Sequence, residues 1–137
     1  MYFVGEGVPQ NYVESAKWYR KAAEQGYAVG YFNLGLAYYM HLGVPEDYTE
    51  AAKLFDKAAE QGLAVAQFYL GRMYELGTGV PQDFVQAHKW YTLATARSQG
   101  KIERSAQNRD RAEKKMTLAQ IAEAQKLARE WKPTPNK

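Results

Sequence analysis

Apolar positions along this chain recur at helical spacing. Between Tyr12 and Gln25, the residues Tyr12, Ser15, Tyr19, Ala22 and Ala23 fall three or four apart and form one stripe on an otherwise polar segment. The stretch Ala28 to Met40 behaves differently. Tyr31, Leu34, Gly35 and Tyr38 share one face, as expected of a helix docked on a partner helix. The opposite face carries Val29, Phe32, Leu36, Tyr39 and Met40. A helix that is apolar all round is either buried on both sides or presents an adhesive surface. In the later stretch Ala64 to Leu76 the outer face reads Val65, Phe68, Arg72, Glu75 and Leu76, a mixture of apolar and charged groups. Glycines at 35 and 71 would let two helix axes approach closely.

Stop and start signals frame these stripes. Gly5-Glu6-Gly7, Gly26 and Gly62 follow helical segments, where glycine enters the left-handed conformation at least cost. Val8-Pro9 predicts an extended connection, because proline biases the residue before it away from helix. Asn11, Asp47 and Asp83 stand where N-caps are expected. These signals are periodic. Val8-Pro9, Val44-Pro45 and Val80-Pro81 are 36 residues apart, as are Leu34-Gly35 and Leu70-Gly71, and residues 8–43 share 19 of 36 positions with residues 44–79. A self-match at fixed period is the signature of a repeat array. The array reads as a partial unit over 1–27, complete units over 28–63 and 64–99, and two antiparallel helices per complete unit. Met1-Tyr2 aligns with Ala37-Tyr38 and Met73-Tyr74, inside a helix. A fragment or trimmed form is therefore expected, with any upstream address missing.

Beyond Gln99 the pattern decays. Ser98 replaces the glycine of the earlier units, and the next helix, Lys101 to Lys115, has no Leu-Gly pair and little apolar surface. Thr117 and Gln120 predict a capping box. Leu118, Ile121, Ala122, Leu127, Ala128 and Trp131 then supply a stripe for a last helix, which Pro133 and Pro135 stop. Repeat arrays need an atypical end unit over their last hydrophobic face. The expectation is an all-α single domain over 1–132, with 100–132 a degenerate repeat plus capping helix, and a flexible tail over 133–137.

Composition changes this picture little. The chain has 137 residues, no cysteine and a net charge of +3, so neither disulfides nor thiolate zinc sites are possible. No apolar block is long enough to span a bilayer, and no signal peptide is visible. The charge is uneven: residues 1–96 hold 7 Lys/Arg against 10 Asp/Glu, and residues 97–137 hold 11 against 5. His41 and His88 have no companion at ligand spacing, so a helix-terminal and a packing role are expected, and no metal. Glu24 and Glu60, like Lys17, Lys53 and Lys89, recur with the period and read as a solvated face, not an acid–base pair. Gly77-Thr78-Gly79 lacks a following P-loop lysine and reads as a turn. Trp18, Leu54 and Trp90 stand in phase and predict a packing ladder between repeats.

The segments GVPQNYVESAKWYRKAAEQG and GVPEDYTEAAKLFDKAAEQG, with the Leu-Gly-x-x-Tyr helices at Leu34 and Leu70, resemble Sel1-like repeats, 36-residue relatives of tetratricopeptide repeats. The resemblance covers about Met1 to Gln99, and the end, QNRDRAEKKMTLAQIAEAQKLAREW, is similar to how bacterial members finish. It implies a right-handed α-solenoid of antiparallel helix pairs acting as an adaptor or scaffold, with no cofactor and no catalysis. Members of the family serve membrane-associated complexes, exopolysaccharide secretion, signalling and host contact, and a periplasmic or secreted location fits them. By tetratricopeptide geometry the Leu-Gly helices line the concave face. Tyr31, Leu34, Gly35 and Tyr38, then Gln67, Leu70, Gly71 and Tyr74, match its core positions. Val29, Phe32, Leu36, Tyr39 and Met40, then Val65, Phe68, Arg72, Glu75 and Leu76, match the groove positions, where a partner peptide or protein would bind. Asn33, Tyr69 and Arg72 are further recognition candidates. The alternative for Phe32 and Phe68 is packing between neighbouring repeats. Two departures stand out: His41 replaces the glycine found at 5 and 77, and the third unit loses its Leu-Gly helix. The cysteine-rich branch of the family, linked to β-lactam binding, is not matched.

Two other partner classes follow from the residues. Lys101, Arg104, Arg109, Arg111, Lys114 and Lys115 could meet nucleic acid or an anionic membrane surface. Glu103, Asp110 and Glu113 are interspersed, however, and no aromatic side chain is present there to stack on bases, so a solvated helix is the default. Self-association through an uncapped N-terminal end is the other.

Overall fold

A computed structural model describes residues 10–135. Among them seven helices follow one another and no strand occurs: α1 Gln10–Glu24, α2 Ala28–Met40, α3 Tyr48–Glu60, α4 Ala64–Leu76, α5 Phe84–Arg97, α6 Glu103–Glu113 and α7 Leu118–Glu130. The turn expected at Gly5-Glu6-Gly7, the Val8-Pro9 connection and the helix end over Met1 to Val4 lie outside the described residues.

Local chemistry sets the helix ends. Asp47 and Asp83 are extended, and each accepts a hydrogen bond from the backbone N–H three residues on, Glu50 at 3.0 Å and Gln86 at 3.1 Å. α1 departs from this pattern, because Asn11 lies inside the helix instead of at its cap. Its buried stripe is also narrower than expected: Ala16 and Ala23 are buried, whereas Tyr12 is exposed. α2 and α4 both end on a left-handed residue, His41 at φ 59° and Gly77 at φ 70°. A side chain in that conformation costs about 1–2 kcal/mol. His41 offsets part of the cost by donating from Nδ1 to the Val44 carbonyl at 2.7 Å.

Within each repeat a glycine of the first helix faces an aromatic ring of the second. A Cβ on Gly35 would lie 2.9 Å from the Phe55 ring, and one on Gly71 would lie 2.9 Å from the Tyr91 ring. Phe55 and Tyr91 are themselves fully buried. Leu34, Leu54, Leu70, Met73 and Trp90 complete a core that runs along the stack. Successive repeats are tied by one recurring bond. Gln61 Nε2 donates to the Gly26 carbonyl and Arg97 Nε to the Gly62 carbonyl, each at 2.7 Å, and the two donors are themselves one period apart.

The array ends differently from its interior. The positions of α6 in phase with Gln67, Leu70, Gly71 and Tyr74 are Glu103, Ala106, Gln107 and Asp110, so α6 offers no apolar docking face. α6 packs on α5 with Ser105, Asn108 and Ala112 buried, and α7 packs on α5 as well. The capping box at its start is formed, with Thr117 and Gln120 each accepting from the other's backbone N–H. The expected stripe is corrected: Leu118 is 85% exposed and Ala122 is exposed, while Ala124 is buried. The helix is held at its far end. Trp131 sits edge-on to Trp90 at 6.2 Å, donates from Nε1 to Glu60 at 2.9 Å, and lies under the Arg97 guanidinium. Beyond it the Thr134 N–H donates to the Glu60 carbonyl at 2.6 Å, which fastens the first tail residues onto α3.

These contacts overturn two expectations. The Trp18–Leu54–Trp90 ladder does not form, because Trp131 covers Trp90 whereas Trp18 is exposed beside the Lys21 ammonium. Glu60 and Lys89 are not solvated like Glu24, Lys17 and Lys53. Glu60 is taken by Trp131, and burial pushes the Lys89 pKa down although Glu60 and Asp56 draw it up. Burial, then the charge of Glu60, raises the Asp56 carboxyl above its ordinary range.

Candidate functional site

α2, α4 and α6 lie side by side, and equivalent positions of successive repeats meet along them. Phe32 contacts Tyr69 edge-on at 5.5 Å, the Arg104 guanidinium stands 6.0 Å over the Phe68 ring, and Arg111 binds Glu75. The last two pairs are each separated by one 36-residue period. The face they form changes character along its length. α2 carries no charged side chain, α4 carries Arg72 and Glu75, and α6 carries three arginines and three acids, of which Arg104 and Arg111 reach this face.

The sequence-derived candidates divide three ways. Val29 at 58%, Met40 at 52% and Leu76 at 58% are large aliphatic side chains open to solvent. Phe32, Asn33, Leu36, Tyr39, Val65, Tyr69 and Arg72 are half-buried. Of these, Phe32, Tyr39 and Tyr69 form a ring cluster with Phe55, and Tyr39 also meets Tyr48 at 5.4 Å. Such pairs are worth about 0.5–1.5 kcal/mol beyond their area. The rings of this aromatic floor pack on one another, and Phe32, Tyr39 and Tyr69 each keep part of their surface exposed.

Phe68 and Glu75 are corrections to the expected face. Phe68 is only 7% exposed, wedged between Tyr69 and Tyr91 beneath Arg104. Glu75 is 8% exposed. It accepts from the Tyr91 hydroxyl at 2.6 Å and from Arg111 Nε and Nη2 at 2.8 Å each. Burial pushes the Glu75 pKa up, but Arg111 and Tyr91 outweigh it and hold the carboxyl below its ordinary value. Tyr91 in turn is pushed far up, by burial first and by Glu75 second.

Two pairings are invisible to motif reading. His88, expected to lack a carboxylate companion, is buried and places Nε2 2.7 Å from Glu113 across the α5–α6 joint. Arg104 and Arg111 join the α2–α4 face because they continue its register at 68 plus one period and 75 plus one period. The signal was present in the numbering and hidden by the loss of the Leu-Gly pair. Among the described residues no group of three or more His, Asp or Glu side chains is placed to hold a metal ion. No helix there is long and apolar enough to cross a membrane.

The sequence matches the Sel1 repeat three times, over residues 1–27, 28–63 and 64–98. No curated protein matches it. The fold is similar to the crystal structure of a protective antigen present in uropathogenic Escherichia coli strains, which displays an SLR fold. That likeness has a TM-score of 0.84 at 37% identity, over 91% of this chain and 26% of the antigen. It is also similar to a Sel1 repeat protein from Oxalobacter formigenes, with a TM-score of 0.61 at 39% identity, over 62% of this chain and 35% of that one. The chain thus spans about a quarter of the first of these proteins and about a third of the second. Sel1 repeat proteins generally mediate protein–protein interaction. With three repeats in phase over residues 1–98 and an α-solenoid to match, the chain belongs to the Sel1 repeat family.

Proposed function

We propose that this chain is a non-enzymatic interaction scaffold that binds a segment of a protein partner across the face of α2 and α4. The observation that carries this reading is the exposure of Val29, Met40 and Leu76 around the half-buried cluster of Phe32, Tyr39 and Tyr69. Covering apolar area yields roughly 25 cal/mol per Å². The ring floor is already ordered, so a bound segment would meet a surface that loses little freedom on binding.

The test is photo-crosslinking from single sites. An amber-encoded crosslinker at Val29, Met40 or Leu76 is expected to trap one common partner band in the native cell. The same group at Trp18 or Leu118, exposed apolar positions on α1 and α7, is expected not to trap it. Equal trapping from all five sites would move the binding surface elsewhere.

A further inference from the structure

We infer that the segment bound on this face is an acidic, amphipathic one, with apolar side chains over α2 and carboxylates at the α4–α6 end. This inference rests on the reading of α2 and α4 as the binding face and adds the chemistry of the occupant. Arg111 is neutralised by Glu75, Arg109 faces Asp110 at 3.2 Å, and Glu113 is occupied by His88. What remains on the face is Arg72, whose charge reaches Glu75, and Arg104, which is fixed over the Phe68 ring. Among the described residues neither has a carboxylate within ion-pair distance.

The acids of α6 do not cancel them. Glu103 and Asp110 each stand one residue from the row formed by Arg104 and Arg111, about 100° around the helix. Both acids are exposed, away from the buried Ser105, Asn108 and Ala112 of α6, and neither is within ion-pair distance of Arg72 or Arg104. Two guanidinium groups thus stand unpaired at one end of a strip whose other end has no charge at all. A guanidinium matches a carboxylate in two parallel hydrogen bonds, and it is better suited to that geometry than an ammonium. Electrostatic complementarity of this kind sets orientation and partner choice more than gross affinity. It therefore predicts a polarised partner segment.

The experiment is a selection of random dodecapeptides displayed on phage against the full immobilised chain, followed by anisotropy titration of the enriched peptides after synthesis. Enriched sequences are expected to combine aromatic or aliphatic residues with Asp or Glu at one end. Arg72→Gln with Arg104→Gln is expected to weaken them by about tenfold or more. Arg104→Lys keeps the charge and should lose less. Met40→Asp should abolish binding by either kind of peptide. Peptides that need Met40 but carry no carboxylates, or that bind the double variant equally well, overturn the acidic partner and leave the binding face standing. Failure to enrich any sequence that needs Met40 removes both. A parallel arm uses phosphatidylcholine vesicles containing phosphatidylserine. Vesicle binding lost in the double variant, with acid-free peptides from the selection, would assign the two arginines to a membrane surface and overturn the proposal.

Discussion

Arg111 grips Glu75 through two parallel hydrogen bonds, Nε to Oε2 and Nη2 to Oε1, both at 2.8 Å, and the two residues occupy the same position in successive repeats. The carboxylate is buried while the guanidinium remains half open to solvent. Tyr91 supplies a third donor from the second helix of the same repeat. One acidic side chain therefore joins α4, α5 and α6.

Removing the arginine should cost more than removing an exposed ion pair. Arg111→Ala leaves a buried carboxylate with one donor instead of three, and hydrogen bonds to a charged group contribute about 1.5–3 kcal/mol. A loss in that range is expected by urea unfolding. Glu75→Gln, which keeps the shape and removes the charge, should cost less. Equal losses would show that packing, not charge, makes the joint.

The same site makes a pH prediction. The folded-state pKa of Glu75 lies below its ordinary value of 4.5. Its contribution is therefore fully present above that value and is lost as pH falls through the depressed folded-state pKa. The gap in thermal stability between wild type and Glu75→Gln should be constant at neutral pH and should narrow on acidification below 4.5. A gap that widens instead would mean that the folded protein raises this pKa.

Gly35 and Gly71 test the close approach of paired helices. A Cβ at either would press on a fully buried ring, so something in the core must shift. Overpacking costs about 1–3 kcal/mol, offset by up to about 1 kcal/mol because alanine is the better helix former. Gly35→Ala and Gly71→Ala should each lower the urea midpoint. Raised midpoints would show that the core has room there.

These glycines also mark how far the sequence could be read. The period placed Gly35 against its partner helix, located the caps at Asp47 and Asp83, and bounded α2 at Ala28 and Met40, because each of those features depends on neighbours a few residues away. Phe68 and Phe32 stand in phase and read alike, yet one is buried and the other half-open. The difference comes from α6, which lays Arg104 over Phe68. Trp18 and Trp90 are equally matched in sequence and separated by Trp131, which lies far along the chain. His88 finds Glu113 only because α6 folds back on α5. What the period could not supply were the partners of Trp131 and of Glu113, which have no counterpart in the earlier repeats.

That end holds the array through Trp131. Its ring meets Trp90 on α5, and its N–H reaches Glu60 on α3, 71 residues away. Trp131→Phe keeps a ring and removes one hydrogen bond, so a loss of about 0.5–1.5 kcal/mol is expected. Trp131→Ala also removes the ring; full burial would make that about 3–5 kcal/mol, and a half-open tryptophan should lose less. Repeat arrays transmit such losses to neighbouring units. Because Glu60 closes α3, Trp131→Ala should raise amide hydrogen exchange in the last turn of α3 as well as in α7. Faster exchange confined to α7 would show that the C-terminal helix covers α5 without bracing the repeat before it.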